Sequence, residues 1–93
     1  MKKSGLIMFD LAGTLVKMRP ATMLVSRRLL TKLANKSILG IVTGARKTET
    51  QNILRKLRID YLFESITTAD DTQYRKPDPK VFPVNPTTFI GDA

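Results

Sequence analysis

Short apolar runs alternate along this chain with stretches whose apolar positions recur every three to four residues. Leu6 to Phe9 and Ile38 to Val42 are apolar on both faces, as strands buried inside a parallel sheet are. Between them, Val25, Leu29 and Leu33 fall at i, i+4 and i+8, with Arg27, Arg28, Thr31 and Lys32 off that stripe. This spacing predicts a helix from about Thr22 to Asn35, opened by Pro20. A second helix is expected from about Thr48 to Leu57, with Ile53, Leu54 and Leu57 on its buried face. Thr48 followed by Gln51 gives it a capping-box start. Ile66 to Thr68 reads as a short third strand and Thr87 to Ile90 as a last one. Strands alternating with helices imply an α/β fold, a parallel sheet of about four strands with right-handed crossovers. No repeat or interdomain linker interrupts residues 1–93, so a single domain is expected.

The polar residues that end these runs come next. Asp10 closes the first and is followed by a Gly13-Thr14 turn; Thr43-Gly44-Ala45 closes the second; Gly91-Asp92 closes the last. In α/β sheets, ligands bind at the carboxyl ends of strands. The chain has no cysteine and no histidine, which excludes disulfides, thiolate metal sites, His-ligated zinc and His-based triads. Any metal must take oxygen ligands, which favours magnesium. No apolar run approaches the ~20 residues of a membrane-spanning helix and the N-terminus lacks a signal-peptide core, so no membrane association and a cytoplasmic location are expected. The net charge of +8 would draw in anions, phosphorylated molecules and nucleic acid among them. The basic clusters are scattered, however, and no nucleic-acid-binding motif accompanies them.

Taken together, Phe9-Asp10-Leu11-Ala12-Gly13-Thr14, Thr43-Gly44, Lys76-Pro77-Asp78-Pro79-Lys80-Val81-Phe82 and Gly91-Asp92 resemble the four motifs of the haloacid dehalogenase superfamily, most of whose members are phosphohydrolases. The resemblance implies a small Rossmann-like core. It also implies Asp10 as a nucleophile forming an aspartyl-phosphate, with Thr43 and Lys76 as its catalytic companions. Thr43, Gly44 and Lys76 would hold the substrate phosphate, with help from N–H groups at the start of the following helix. Magnesium would sit on Asp10, the Ala12 carbonyl and Asp92. The segment from Asn52 to Phe82 is similar to the phosphoglycolate-phosphatase branch, through Tyr61-Leu62-Phe63 and Thr68-Ala69-Asp70-Asp71.

The chain also departs from that pattern. Ala12 stands where the family carries its general acid, a role typically worth ~10²–10⁴-fold in rate. No cap insertion separates the first two motifs; Leu15 to Arg19 are expected to lead straight into the first helix. Phe82-Pro83-Val84-Asn85-Pro86 leave no room for a helix before the last strand, so one face of the sheet should be thinly covered. The sequence ends at Ala93, where relatives continue, which leaves a fragment, a degenerate paralogue and a minimal domain as alternatives. The function expected is magnesium-dependent hydrolysis of phosphate monoesters, slowed by Ala12, on a phosphorylated small molecule or a larger phospho-substrate. The alternative is an inactive pseudo-phosphatase that binds phosphate or a partner. Thr87 to Ile90 should present an open apolar edge, with a homodimer as one consequence.

Overall fold

The computed structural model describes residues 5–71 and 87–91. Four parallel strands form the sheet: β1 (Leu6–Asp10), β4 (Ile38–Val42), β5 (Ser65–Thr67) and β6 (Thr87–Ile90), in the order β5-β4-β1-β6. Helix α1 (Arg27–Lys36) links β1 to β4, and α2 (Lys47–Lys56) links β4 to β5. Leu6 pairs with Ile38 on one side of β1 and with Thr87 on the other, so the three strands start level; β1 and β4 end together and β6 one residue earlier. This is the expected α/β fold, with no cap domain among the described residues.

Alternation along β1 assigns its two faces. Ile7, Phe9 and Leu11 belong to the main core, with Leu39 and Ile41 of β4, Leu30 of α1 and Ile53 and Leu54 of α2. Phe63 closes this core edge-on against Phe9, ring centres 6.2 Å apart. Leu6 and Met8 face the other way and cluster with Val42, Ile38 and Phe89. Gly40 is what lets Met8 lie across β4: a Cβ there would come within 2.6 Å of the Met8 sulfur. Both helices cover the first face because both crossovers step the same way across the sheet and share one hand. At the edge, Phe89 is half-buried and Ile90 is 38% exposed, in line with the partly uncovered strand expected.

The structure corrects the first helix. Residues Val16–Met18 (β2) and Ala21–Met23 (β3) form an antiparallel hairpin, with a cis Arg19–Pro20 bond in its turn. Pro20 therefore turns a hairpin instead of opening a helix, and Thr22 donates its hydroxyl to the Pro20 carbonyl. Helix α1 starts at Arg27 because Ser26 caps it, its hydroxyl oxygen accepting from the Leu29 N–H. The buried position is Leu30, fully covered, with Leu33 and Ala34 beside it, while Leu29 is 48% exposed. Helix α2 matches its expected face through Ile53 and Leu54, and Leu57 packs at its end. The capping box does not form: Arg46 is the N-cap, without a side-chain bond, and Thr48 lies inside the helix.

Candidate functional site

Asp10 is the last residue of β1, half-buried, where the sheet order reverses. The chain moves from β1 through β4 to β5, then returns across the sheet to β6 on the opposite side of β1. Open α/β sheets place their ligand crevice at such a switch point. Phe9 pairs with Ile90, which brings Gly91 level with Asp10. Gly91 has φ +120°, and a Cβ on it would lie 2.5 Å from the Asp10 Cβ and 2.8 Å from Thr14 Oγ1. Only a residue without a side chain lets the end of β6 close against both.

The turn after Asp10 folds back on itself. The Leu11 carbonyl accepts from the N–H groups of Leu15 and Val16, and the Gly13 N–H donates to the Val16 carbonyl. None of these backbone bonds uses the Ala12 carbonyl, and the Ala12 side chain is exposed. The carbonyl expected to ligate a metal is thus outside the turn's own hydrogen bonding, two residues from Asp10.

On the other side of β1, Asp10 pairs with Val42, so Thr43 follows directly at the neighbouring strand end, about 4.8 Å across. Thr43 is buried; its N–H donates to the Thr67 carbonyl at 2.9 Å, and its hydroxyl oxygen accepts from the Ala45 N–H at 3.1 Å. That hydroxyl keeps its own proton for donation. Gly44 is exposed, with open space where a side chain would stand.

The start of α2 differs from the free anion cradle expected of it. The Lys47 N–H donates to Asp70 Oδ2 at 2.8 Å, and Arg46 donates to Asp70 Oδ1 at 3.0 Å. A carboxylate of the chain itself occupies the helix N-terminus. Those bonds, the Lys47 N–H first and Arg46 after it, hold the Asp70 carboxyl below the usual aspartate range. Beside it, Asp71 accepts from the Thr68 N–H at 2.7 Å and the Thr68 hydroxyl at 3.3 Å, tying down the loop after β5.

The structure therefore brings Asp10, Ala12 and Thr43 to one edge and adds Thr14 and Gly91 as residues in contact around Asp10. Thr14 was visible in the sequence as the end of the first motif and its turn, without a role of its own. Thr68 and Asp71, three apart, carry the spacing of a local side-chain-to-backbone turn. Lys76 and Asp92 lie outside the described residues. Among the described residues there is no group of three or more His, Cys, Asp or Glu side chains able to hold a metal. A site here would rest on Asp10 and the Ala12 carbonyl, with further oxygens from elsewhere.

Comparison with known proteins now bears on this edge. The sequence profile of a family described as haloacid dehalogenase-like hydrolase matches residues 26–85, a span that takes in Thr43 and Lys76 but neither Asp10 nor Asp92. No curated protein matches the chain. A crystal structure of a HAD-superfamily hydrolase, subfamily IA, from Geobacter sulfurreducens superposes with a TM-score of 0.76 at 16% identity, covering 99% of this chain and 81% of the other. The core domain of a candidate phosphoglycolate phosphatase from Streptococcus pneumoniae superposes with a TM-score of 0.61 at 27% identity, covering 87% of this chain and 53% of that one. A crystal structure of a hydrolase from the same organism gives 0.66 at 16% identity, over 94% and 81% of the two chains. No helix among the described residues is long and apolar enough to cross a membrane.

Proposed function

The chain belongs to the haloacid dehalogenase-like hydrolase family, and from that premise we propose that it hydrolyses phosphate monoesters through an aspartyl-phosphate on Asp10. The observation that carries the reading is the position of Asp10 at the switch point, with Gly91 packed close to both it and Thr14 and with Thr43 at the next strand end. The likeness to a candidate phosphoglycolate phosphatase supports a phosphate ester as substrate.

In the proposed reaction a carboxylate oxygen of Asp10 attacks phosphorus, the bond to the ester oxygen breaks, and the alcohol leaves with the electron pair. Water then attacks the acyl-phosphate, releasing inorganic phosphate and restoring Asp10. Thr43 would donate its hydroxyl proton to a phosphate oxygen, and Lys76 would balance charge on the phosphoryl group. Family members generally use magnesium. Here Asp10, the Ala12 carbonyl and Asp92 would hold it, and it would neutralise charge on the phosphoryl oxygens when bound. With Ala12 in place of an acid, the alcohol must leave without a proton from this turn, which favours activated esters.

The same alanine favours a second reading, a phosphate-binding domain that no longer turns over. One assay separates the two. Purified protein with 4-nitrophenyl phosphate and magnesium is expected to release nitrophenol slowly. Asp10→Asn and chelator are each expected to abolish that release. Release unaffected by Asp10→Asn would break the covalent reading, and no release alongside measurable vanadate binding would establish the second.

A further inference from the structure

An open groove of about 610 Å³ runs between the β2–β3 hairpin and α2. Its apolar walls are Met18 and Ala21 of the hairpin and Ile53 of the helix; Arg46, Thr48, Glu49, Asn52 and Lys56 supply polar and charged groups along the helix side. Arg46 stands at the end nearest Asp10. It follows Thr43 by three residues, which places it within about 11 Å of that strand end. Through Asp70 it is also tied to the turn that carries Thr43 and Ala45. Arg46 therefore connects the groove to the strand end that carries Thr43.

We propose that this groove is the leaving-group subsite of the Asp10 site and takes a ring-bearing alcohol, so that the substrate is a phosphate monoester of an aryl or cyclic alcohol. The proposal rests on the phosphohydrolase reading above. The volume lies within the range of sites for small ligands. A flat ring packs on Met18, Ala21 and Ile53, exchanging water for apolar contact on its face. Asn52 and Glu49 are placed to meet hydroxyl groups on its edge.

The test compares inorganic phosphate, methyl phosphate and 1-naphthyl phosphate by calorimetry, and follows the Met18 and Ile53 methyl resonances. 1-Naphthyl phosphate is expected to bind roughly 10-fold more tightly than methyl phosphate and to shift both methyls. Ala21→Phe, which fills the groove, is expected to erase that preference and leave the affinity for inorganic phosphate within about 2-fold of wild type. Asn52→Ala, at an exposed helical position, serves as a second variant and should weaken cyclic polyol phosphates while sparing methyl phosphate. Equal affinities for the two esters in wild type, or a preference that survives Ala21→Phe, would overturn the subsite. If inorganic phosphate fails to bind while 1-naphthyl phosphate still shifts Met18 and Ile53, the ring site stands and the phosphohydrolase reading falls.

Discussion

Two halves of the same carboxyl edge hold their polar residues by different means. On the β4–β5 side, Thr43 bonds to the backbone of Thr67 and Ala45, Thr68 donates to Asp71, and Asp70 accepts from Arg46 and Lys47. On the β1–β6 side, Asp10, Thr14 and Gly91 meet by close approach of backbone and side chain, and the Ala12 carbonyl stays out of the turn's hydrogen bonds. Where donors and acceptors already answer one another, as at Thr68, Asp70 and Asp71, they fix a loop and leave little for a ligand, whereas the Thr43 hydroxyl keeps its proton to donate. The corner around Asp10 is set by packing instead, and the Ala12 carbonyl lies outside the turn's own backbone bonds. On the proposed function, Asp10 with Thr43 opposite it is the chemical side and the Asp70–Asp71 loop the structural side, and each assignment can be broken.

The largest effect should come from restoring an acid on the chemical side. Ala12→Asp is expected to raise turnover roughly 10²-fold or more on alkyl phosphates, whose leaving groups need a proton, and less on aryl phosphates. The exposed Ala12 side chain leaves room for the carboxylate. Steady-state kinetics on both ester classes check it. A folded variant with no gain on either would mean that the loss of activity lies beyond position 12.

Gly91→Ala tests the packing of the same corner. The new Cβ would have to share space with the Asp10 Cβ and with Thr14 Oγ1, in a backbone conformation that side chains disfavour. A cost of order 1–3 kcal/mol in stability is expected from the strained backbone, together with a drop in turnover as Asp10 is displaced. Thermal unfolding with and without vanadate separates the two. An unchanged midpoint and unchanged turnover would show that β6 and Asp10 are not held this closely in solution.

The sequence made the chemical side more legible than the structural side, for a physical reason. Strands apolar on both faces, such as Ile38 to Val42, can only be buried, and the polar residue that ends each one is then fixed at the sheet edge. The motif around Asp10 is likewise local in sequence. The hairpin was hidden because Val25, Leu29 and Leu33 satisfy a helical period whether or not the chain upstream is helical. The deciding feature was Ser26, whose cap sets the start of α1 and turns Leu30 inward. The α2 start misled for the opposite reason: its partner, Asp70, is 23 residues from Lys47, and no local rule connects them. Gly91 was readable as part of a motif, but its contacts with Asp10 and Thr14 exist only once β6 crosses to the far side of β1.

The smallest effect expected is on the structural side, where Asp70 closes the start of α2. Its carboxyl is held below the ordinary value of 3.8, first by the Lys47 N–H and then by Arg46. A carboxyl lowered on folding contributes stability above its unfolded value and loses it as pH falls through the folded one. Asp70→Asn should therefore lower the unfolding midpoint by a few °C at pH near 6, and the gap to wild type should narrow as pH is taken down to about 3. Because the Arg46–Asp70 pair is exposed, its share should be screened by salt, while the shorter bond from Lys47 N–H persists. Melting curves of both proteins at the two pH values, with and without added salt, make the comparison. A gap that widens toward pH 3 would reverse the sign and remove Asp70 as the group that holds this end of the sheet. A gap abolished by salt at pH 6 would transfer the role from the backbone N–H to Arg46.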